Sequence, residues 1–204
     1  MKNHLALNIS LAVGLIVSMA VSSMVSFMKE CDAVRGSVVR LHIIANSDAP
    51  SDQLLKLKVR DSILQSESAI LDGVDDKAGA IAILEAKLPE IEAIAQQTVT
   101  DNGYDYPVKA SLQNMFFYTT NYSGFTMPAG VYDALRIQIG SAAGKNWWCV
   151  MFPPLCLSAA NAPADANGQI FSMGKGYTMK FAIVEWIEKI IIDKQKVPVY
   201  NNSN

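Results

Sequence analysis

The chain has 204 residues, a formal net charge of −2, three cysteines and two histidines. A chain this close to neutrality lacks the strongly basic face that binding to nucleic acid requires. Three cysteines are too few for a disulfide scaffold, although one bridge suits an oxidising compartment. The sequence holds no complete metal-ligand set and no complete phosphate-binding loop, so we expect no cofactor.

The first residues form an apolar segment. From Leu5 to Met28 the chain carries no charge, and about 20 apolar residues are enough to span a bilayer. Ser18-Met19-Ala20 fits a signal-peptidase site, and a second candidate cleavage follows Ser23. We interpret the segment as a signal peptide or a signal anchor, and both place the rest of the chain outside the cytoplasm.

Two considerations oppose this interpretation. Only Lys2 precedes the segment, whereas Lys29, Arg35 and Arg40 follow it, and this bias favours the opposite orientation in a membrane. A buried helix of a cytoplasmic protein is the alternative, but such helices seldom stay uncharged over this length. Export remains the preferred prediction.

The next elements are predicted to be a strand and two helices. Residues 37–45 form a β-branched run that indicates a strand. Apolar residues at helical spacing then predict a helix over residues 50–68 and a second over 75–101. Pro89 lies inside the second helix and is expected to kink or divide it, because its ring clashes with the preceding turn.

The pattern then changes to three strands and a last helix. Alternating apolar residues predict strands at 106–118 and 132–139, separated by a loop over residues 121–130. Residues 147–152 are apolar on both faces, which is typical of a strand in the middle of a covered sheet. An apolar stripe predicts a helix over residues 178–194.

This order predicts an α+β fold: an antiparallel sheet of about four strands covered by helices, in the order strand-helix-helix-strand-strand-strand-helix. Residues 1–30 are expected to be the signal peptide or anchor. Residues 31–196 are expected to be a single exported domain, with a flexible loop at 158–168, and residues 197–204 a polar tail.

One candidate chemistry is that of a secreted thiol-dependent hydrolase. Cys149 would be its nucleophile and His42 its base, with Asn46 or Asp48 orienting the imidazole. Against it, Cys149 lies in an apolar run, where burial raises the pKa of a thiol and makes it less reactive. A lone histidine in a strand is more often a structural hydrogen-bonding residue.

Cys149 and Cys156 are instead a candidate disulfide. The two cysteines lie symmetrically about Phe152-Pro153. A chain reversal there would bring them together, whereas an extended Pro-Pro segment would hold them beyond the roughly 7 Å between Cα atoms that a disulfide allows. The sequence leaves both geometries open.

The remaining motifs have simpler interpretations. Trp147, Trp148 and Trp186 are candidates for a sugar platform in a cell-wall binding module, but neighbouring tryptophans in an apolar strand are more often part of the core. Residues 140–146 look like a phosphate-binding loop that is one residue short and lacks its Ser or Thr, so we interpret them as a turn.

Several blocks of sequence point to a known family. They are RLHIIANSD at residues 40–48, DQ at 52–53, LKLKVRD at 55–61, PAGVYDALR at 128–136, IG at 139–140, GKNWWC at 144–149 and FPPLC at 152–156. On these blocks, which cover nearly all of the exported part in the right order, the chain resembles the stage II sporulation protein R family of endospore-forming bacteria.

The resemblance implies a signalling protein rather than an enzyme, with no small-molecule substrate. Such proteins are exported from the forespore into the space between the forespore and mother-cell membranes. There they activate a membrane-embedded aspartic-type protease, which removes the pro-sequence of a mother-cell sigma factor. The chain itself would contact the membrane through residues 5–28 if the leader is retained.

The resemblance does not say which surface contacts the protease. Two segments rich in turn-forming residues are candidates, because loops on a rigid scaffold commonly carry recognition. They are the turn Asn46-Ser47-Asp48 and the loop that contains Gly124, Phe125 and Pro128. Making a turn is the alternative role for these residues.

Overall fold

The computed structural model describes residues 2–122, 125–154 and 178–195. Its helices and strands, in chain order, are α1 (Lys2–Ser37), β1 (Val39–Ile44), α2 (Pro50–Ile70), α3 (Lys77–Asp101), β2 (Val108–Phe117), β3 (Thr120–Tyr122), β4 (Phe125–Met127), β5 (Gly130–Ile139), β6 (Asn146–Phe152) and α4 (Thr178–Gln195). These elements confirm the predicted α+β class. The expected loop at 158–168 and the tail at 197–204 lie outside the described residues.

Local signals explain where the two central helices begin. Pro50 occupies the first turn of α2, where its missing N–H and fixed φ are tolerated. The Asp76 carboxylate caps α3 by accepting a hydrogen bond of 2.7 Å from the Gly79 N–H. α3 contains Pro89 and continues as one helix to Asp101, so of the two predicted effects of Pro89, a kink or a division, the division does not occur.

The sheet has four strands in the order β2-β5-β1-β6. β2 pairs antiparallel with β5, and β1 pairs antiparallel with β6. The central pair is parallel, with Arg40 opposite Ala134, so the sheet is mixed and not wholly antiparallel as predicted. The parallel pair is allowed because α2, α3 and β2 form a long crossover between its strands.

β6 does not lie in the middle of this sheet. Within the described residues it is an edge strand beside β1, so its predicted central position is wrong. Its two apolar faces are nevertheless covered. Trp147 lies beneath the Arg60 guanidinium at 4.4 Å from the ring centre, and Trp148 stacks on His42 on the opposite face.

The larger core lies between one face of the sheet and helices α2 and α3. Side chains from all four strands point into it, including Leu41, Ile43, Leu135 and Met151. The residues that the helices contribute are Leu55, Val59, Ile63, Leu64 and Ile70 from α2 and Ala80, Leu84, Ile91, Ala95 and Val99 from α3. Apart from Leu64, these residues lie four or seven positions apart within each helix, which places them on one side of it.

A short hairpin of strands β3 and β4 covers part of the opposite face. Apart from Thr120, the residues of both strands lie in the segment 121–130 that the sequence predicted to be a loop. The buried Arg40 guanidinium lies 4.0 Å from the centre of the Phe117 ring and donates a hydrogen bond of 2.6 Å to the Tyr122 hydroxyl. Arg40 therefore ties the hairpin to the central strand of the sheet.

α1 is one continuous helix that connects the apolar leader to the folded domain. It is long and apolar enough to cross a membrane, and its most apolar stretch is fully exposed. Farther along the helix, Phe27 and Cys31 are buried against Phe181 and Val184 of α4. The last turns of α1 are therefore part of the domain, and no linker separates them from the leader.

Candidate functional site

His42 lies in the central strand β1 and is fully buried. Its ring stacks on Trp148 with 3.7 Å between ring centres, and its Nε2 lies 2.8 Å from the Asn146 side-chain oxygen. Burial lowers the pKa of His42 to about 3, with Arg136 and Arg40 adding to the effect. The imidazole is therefore neutral at physiological pH and is held as a structural element.

Cys149 lies on the opposite face of the sheet from His42. In the β1–β6 register Cys149 is opposite Leu41, whereas His42 is opposite Trp148, and adjacent residues of a strand point to opposite faces. Cys149 is also disulfide-bonded, so it offers no thiolate. The geometry contradicts a catalytic pair of Cys149 and His42.

Cys156, the predicted partner of Cys149, lies outside the described residues. Cys31 is a free, buried thiol. The pairing of Cys149 with Cys156 stays a prediction.

The tryptophans do not form one platform. Trp147 and Trp148 point to opposite faces of β6 and each is covered by another side chain, while Trp186 lies on α4. A sugar-binding platform requires rings presented together on one open surface. This arrangement disfavours the cell-wall binding alternative.

The turn Asn46-Ser47-Asp48 follows β1, and its side chains are used inside the chain. The Asn46 side-chain oxygen accepts a hydrogen bond of 3.0 Å from the Ser141 N–H, and an Asp48 carboxylate oxygen accepts one of 2.7 Å from the Lys145 N–H. These contacts join the β1–α2 loop to the β5–β6 turn. Asn46 and Asp48 therefore stabilise the turn, which is the alternative role that the sequence offers for these candidate partner contacts.

Asp52 completes this arrangement from the first turn of α2. One of its carboxylate oxygens accepts hydrogen bonds of 2.6 Å from the Ser47 hydroxyl and 2.8 Å from the Asn46 amide. These hydrogen bonds hold the pKa of Asp52 below its usual value. The carboxylate therefore serves as an acceptor within the turn.

The second candidate surface surrounds strand β4. Phe125 stacks on Tyr122 with 4.8 Å between ring centres, and the Pro128 carbonyl accepts a hydrogen bond of 2.6 Å from the buried Tyr132 hydroxyl. Gly124 lies outside the described residues. Phe125 is half-buried and Pro128 is buried, so Phe125 is the one of these two with a side chain available to a partner.

The two candidate surfaces lie at opposite ends of the sheet. The turn at residues 46–48 follows the last residue of β1, whereas Pro128 precedes the first residue of β5, which runs parallel to β1. The two ends are therefore separated by the length of β5, roughly 30 Å for a ten-residue strand. A single compact contact cannot include both.

The second surface lies where α1 meets the sheet. The Arg35 guanidinium donates a hydrogen bond of 2.6 Å to the Ala129 carbonyl and forms a salt bridge of 3.0 Å with Glu188 of α4. One side chain therefore joins α1, the start of β5 and α4. The sequence predicted α4 as a helix but gave no sign of this junction, because its three parts are far apart along the chain.

Among the described residues, no group of three or more His, Cys, Asp or Glu side chains is arranged to hold a metal ion. Residues 140–144 form the predicted turn, with positive φ at Gly140 and Ala142. In the described part of the chain, the polar clusters around the candidate site residues serve to join loops.

Comparison with known proteins identifies the family. The family model described as "Stage II sporulation protein R" matches residues 35–162. "Stage II sporulation protein R" of Bacillus subtilis (strain 168) is 38% identical to the chain over 143 residues. The aligned region covers 70% of this chain and 64% of that relative, so the chain spans slightly less than two thirds of the relative's length. No solved structure matches the chain. The chain therefore belongs to the stage II sporulation protein R family.

Proposed function

We propose that this sporulation protein is an exported signal that activates a membrane-embedded aspartic-type protease. The protease would then remove the pro-sequence of a mother-cell sigma factor. The signal would act after export from the forespore into the space between the two membranes. Membership of the stage II sporulation protein R family is the observation that carries this proposal.

Two structural features support export and signalling. α1 has the length and composition of a signal sequence or an anchor. The two residues best suited to catalysis are unsuited to it here, since His42 is buried with a lowered pKa and Cys149 is disulfide-bonded. These features support a role that depends on binding.

Activation by binding sets an energetic requirement. The signal must bind the active state of the protease more tightly than its resting state, and each tenfold shift in population requires about 1.4 kcal/mol of differential affinity. Both candidate surfaces remain proposed contacts.

Sigma-factor processing in cells that contain the protease and the precursor tests the proposal. The exported full chain should trigger processing, and a chain without residues 2–23, which stays in the cytoplasm, should not. His42→Phe keeps an aromatic ring beside Trp148 but cannot transfer a proton, so this variant should trigger processing like the unchanged chain. The proposal is wrong if the exported chain never triggers processing. A folded but inactive His42→Phe variant would restore the enzymatic alternative.

A further inference from the structure

Arg40, in the central strand β1, is a fully buried positive charge. Its side chain is 0% exposed, and it forms no salt bridge within the described part of the chain. An arginine keeps its proton even when it is buried, so Arg40 cannot become neutral as the buried His42 does. A buried charge is costly unless an opposite charge or several hydrogen bonds compensate it. The charge of Arg40 therefore requires a compensating group.

The hydrogen bonds of the Arg40 guanidinium are incomplete. Its Nη2 donates a hydrogen bond of 2.6 Å to the Tyr122 hydroxyl, whereas Nε and Nη1 are buried and have no acceptor among the described residues. The guanidinium lies over the Phe117 ring at 4.0 Å from its centre and 5.3 Å from the centre of the Tyr132 ring. Aromatic rings attract the charge, but a planar guanidinium directs its N–H bonds within its own plane. The Phe117 ring on which it lies therefore does not accept them.

The surroundings of Arg40 contain no acid among the described residues. The strand registers place Ala134 and Val150 beside Arg40 on the two neighbouring strands. The other strand residues on that side of the sheet are neutral or basic. The hairpin segment 120–127, whose Tyr122 contacts Arg40, contains no Asp or Glu. The protein groups near the two unpaired nitrogens therefore supply no negative charge.

The electrostatic potential on this side of the sheet is positive. Arg136 of β5 lies opposite His42 of β1 and adds a second guanidinium beside that of Arg40. Burial is the main cause of the lowered pKa of His42, and the positive charges of Arg136 and Arg40 lower it further. A region with this potential attracts a negative ion.

We propose that a small inorganic anion of the size of chloride binds to Nε and Nη1 of Arg40, beneath the β3–β4 hairpin. The burial of Arg40 determines the size of this ligand. An acidic side chain of a partner cannot reach a residue without exposed surface, whereas a single ion is enclosed as the chain folds. One negative charge balances the charge of Arg40. This inference is independent of the proposed function.

The anion also contributes to the order of a candidate contact surface. Arg40 is hydrogen-bonded to Tyr122, and Tyr122 stacks on Phe125 with 4.8 Å between ring centres. An anion that fixes the guanidinium therefore fixes the ring against which Phe125 packs. The β3–β4 hairpin has strands of only three residues, and an isolated hairpin is marginally stable, so its position depends on such contacts.

Urea unfolding of the full chain at increasing chloride concentration tests the inference. The ionic strength is kept constant with gluconate, an anion too large to be enclosed at Arg40. One bound chloride should lower the unfolding constant tenfold for each tenfold rise in chloride above its dissociation constant. An unfolding constant that is the same at all chloride concentrations overturns the inference.

Two arginine variants show whether this dependence arises at Arg40. Arg40→Met removes the charge and both unpaired donors, so its unfolding constant should not change with chloride. Arg60→Met is the matched control, because Arg60 also lies over an aromatic ring, at 4.4 Å from the centre of Trp147, but has a salt bridge with Asp61. This control should keep the tenfold dependence. The inference is wrong if Arg40→Met keeps the dependence or if Arg60→Met loses it.

If Arg40→Met does not fold, crystals of the unchanged full chain grown in bromide decide the question. Bromide takes the place of chloride, and its anomalous scattering locates it. A bromide ion within hydrogen-bonding distance of Nε or Nη1 of Arg40 supports the inference. Bromide bound only to exposed side chains, or a water molecule in place of the ion at Arg40, overturns it.

Discussion

Two buried ionisable residues respond to pH in opposite ways. Glu67 is 1% exposed, and neither of its carboxylate oxygens has a hydrogen-bond partner among the described residues. Burial raises the pKa of Glu67 to about 8. The folded chain therefore holds this proton more tightly, and its stability falls as the pH rises from about 4.5 to about 8. The lowered pKa of His42 acts the other way, since stability is lost as the pH falls from about 6.5 toward 3.

Between about pH 6.5 and pH 8 the shifted pKa of His42 no longer affects stability, so the effect of Glu67 is measured best in this range. We expect the free energy of unfolding to fall with pH there, by at most about 1.4 kcal/mol per pH unit. Glu67→Gln should flatten this slope, because the amide does not titrate. Urea unfolding at several pH values measures the slope of the unfolding free energy against pH. Glu85→Gln, on the exposed side of α3, is the control. Equal slopes in the unchanged chain and Glu67→Gln would contradict the assignment.

For single residues, the apolar periodicity of the sequence predicted burial in some cases and missed it in others. The structural role of His42 and the burial of Cys149 were expected from the apolar strands around them, and both are buried. The burial of Glu67 was missed, although it continues the spacing of Val59 and Ile63 along α2. The position of Glu67 along α2 predicted a buried side chain, whereas its charge predicted an exposed one. The side chain is buried, so the position on the helix decided between them.

At the scale of elements, the β1–α2 loop and the β5–β6 turn are in direct backbone contact. The Gly144 N–H donates a hydrogen bond of 3.0 Å to the Ala45 carbonyl. A Cβ atom at Gly144 would lie 2.2 Å from the Ser47 carbonyl oxygen, which belongs to the backbone and cannot rotate away. Glycine is therefore required by the close approach of two chain segments.

Gly144→Ala should destabilise the protein by about 1–3 kcal/mol, because one of the two backbones must move. Gly36→Ala is the matched control, since a Cβ there meets no atom within 4 Å. In the last turns of α1 this control should leave stability unchanged or raise it by up to about 1 kcal/mol. Urea unfolding of both variants provides the comparison. If Gly144→Ala is as stable as the control, the two loops are not locked together.

The strands and helices were predictable where one pattern persists over several residues, as in β1, α2, α3 and α4. The β3–β4 hairpin was missed because each of its strands has only three residues, too few to show an alternation. The parallel pairing of β1 with β5 was missed for a different reason. The pairing of two strands that are far apart in the sequence depends on the whole fold, and local periodicity does not indicate it.

For the whole molecule, the continuity of α1 makes its last turns part of the stable domain. Both candidate cleavages, after Ala20 and after Ser23, leave Phe27 in the product. A chain that starts at Val21 and one that starts at Met24 should therefore unfold at the same urea concentration. A chain that starts at Val38 should be less stable by at least about 3 kcal/mol, because it loses the buried Phe27 and the Arg35 junction. Equal stability of all three chains would show that α1 is dispensable to the domain.

The topology of the sheet also bears on when the protein can fold. The central strand β1 pairs with two strands that both lie far downstream, and Arg40 is about 90 residues from its partner Ala134. The sheet cannot close until most of the polypeptide has been synthesised, and a topology of such high contact order folds slowly. The delay keeps the nascent chain extended for longer, which is the condition that threading through a narrow translocation channel requires. A sheet that is completed slowly is in this respect compatible with the export that we propose for this chain.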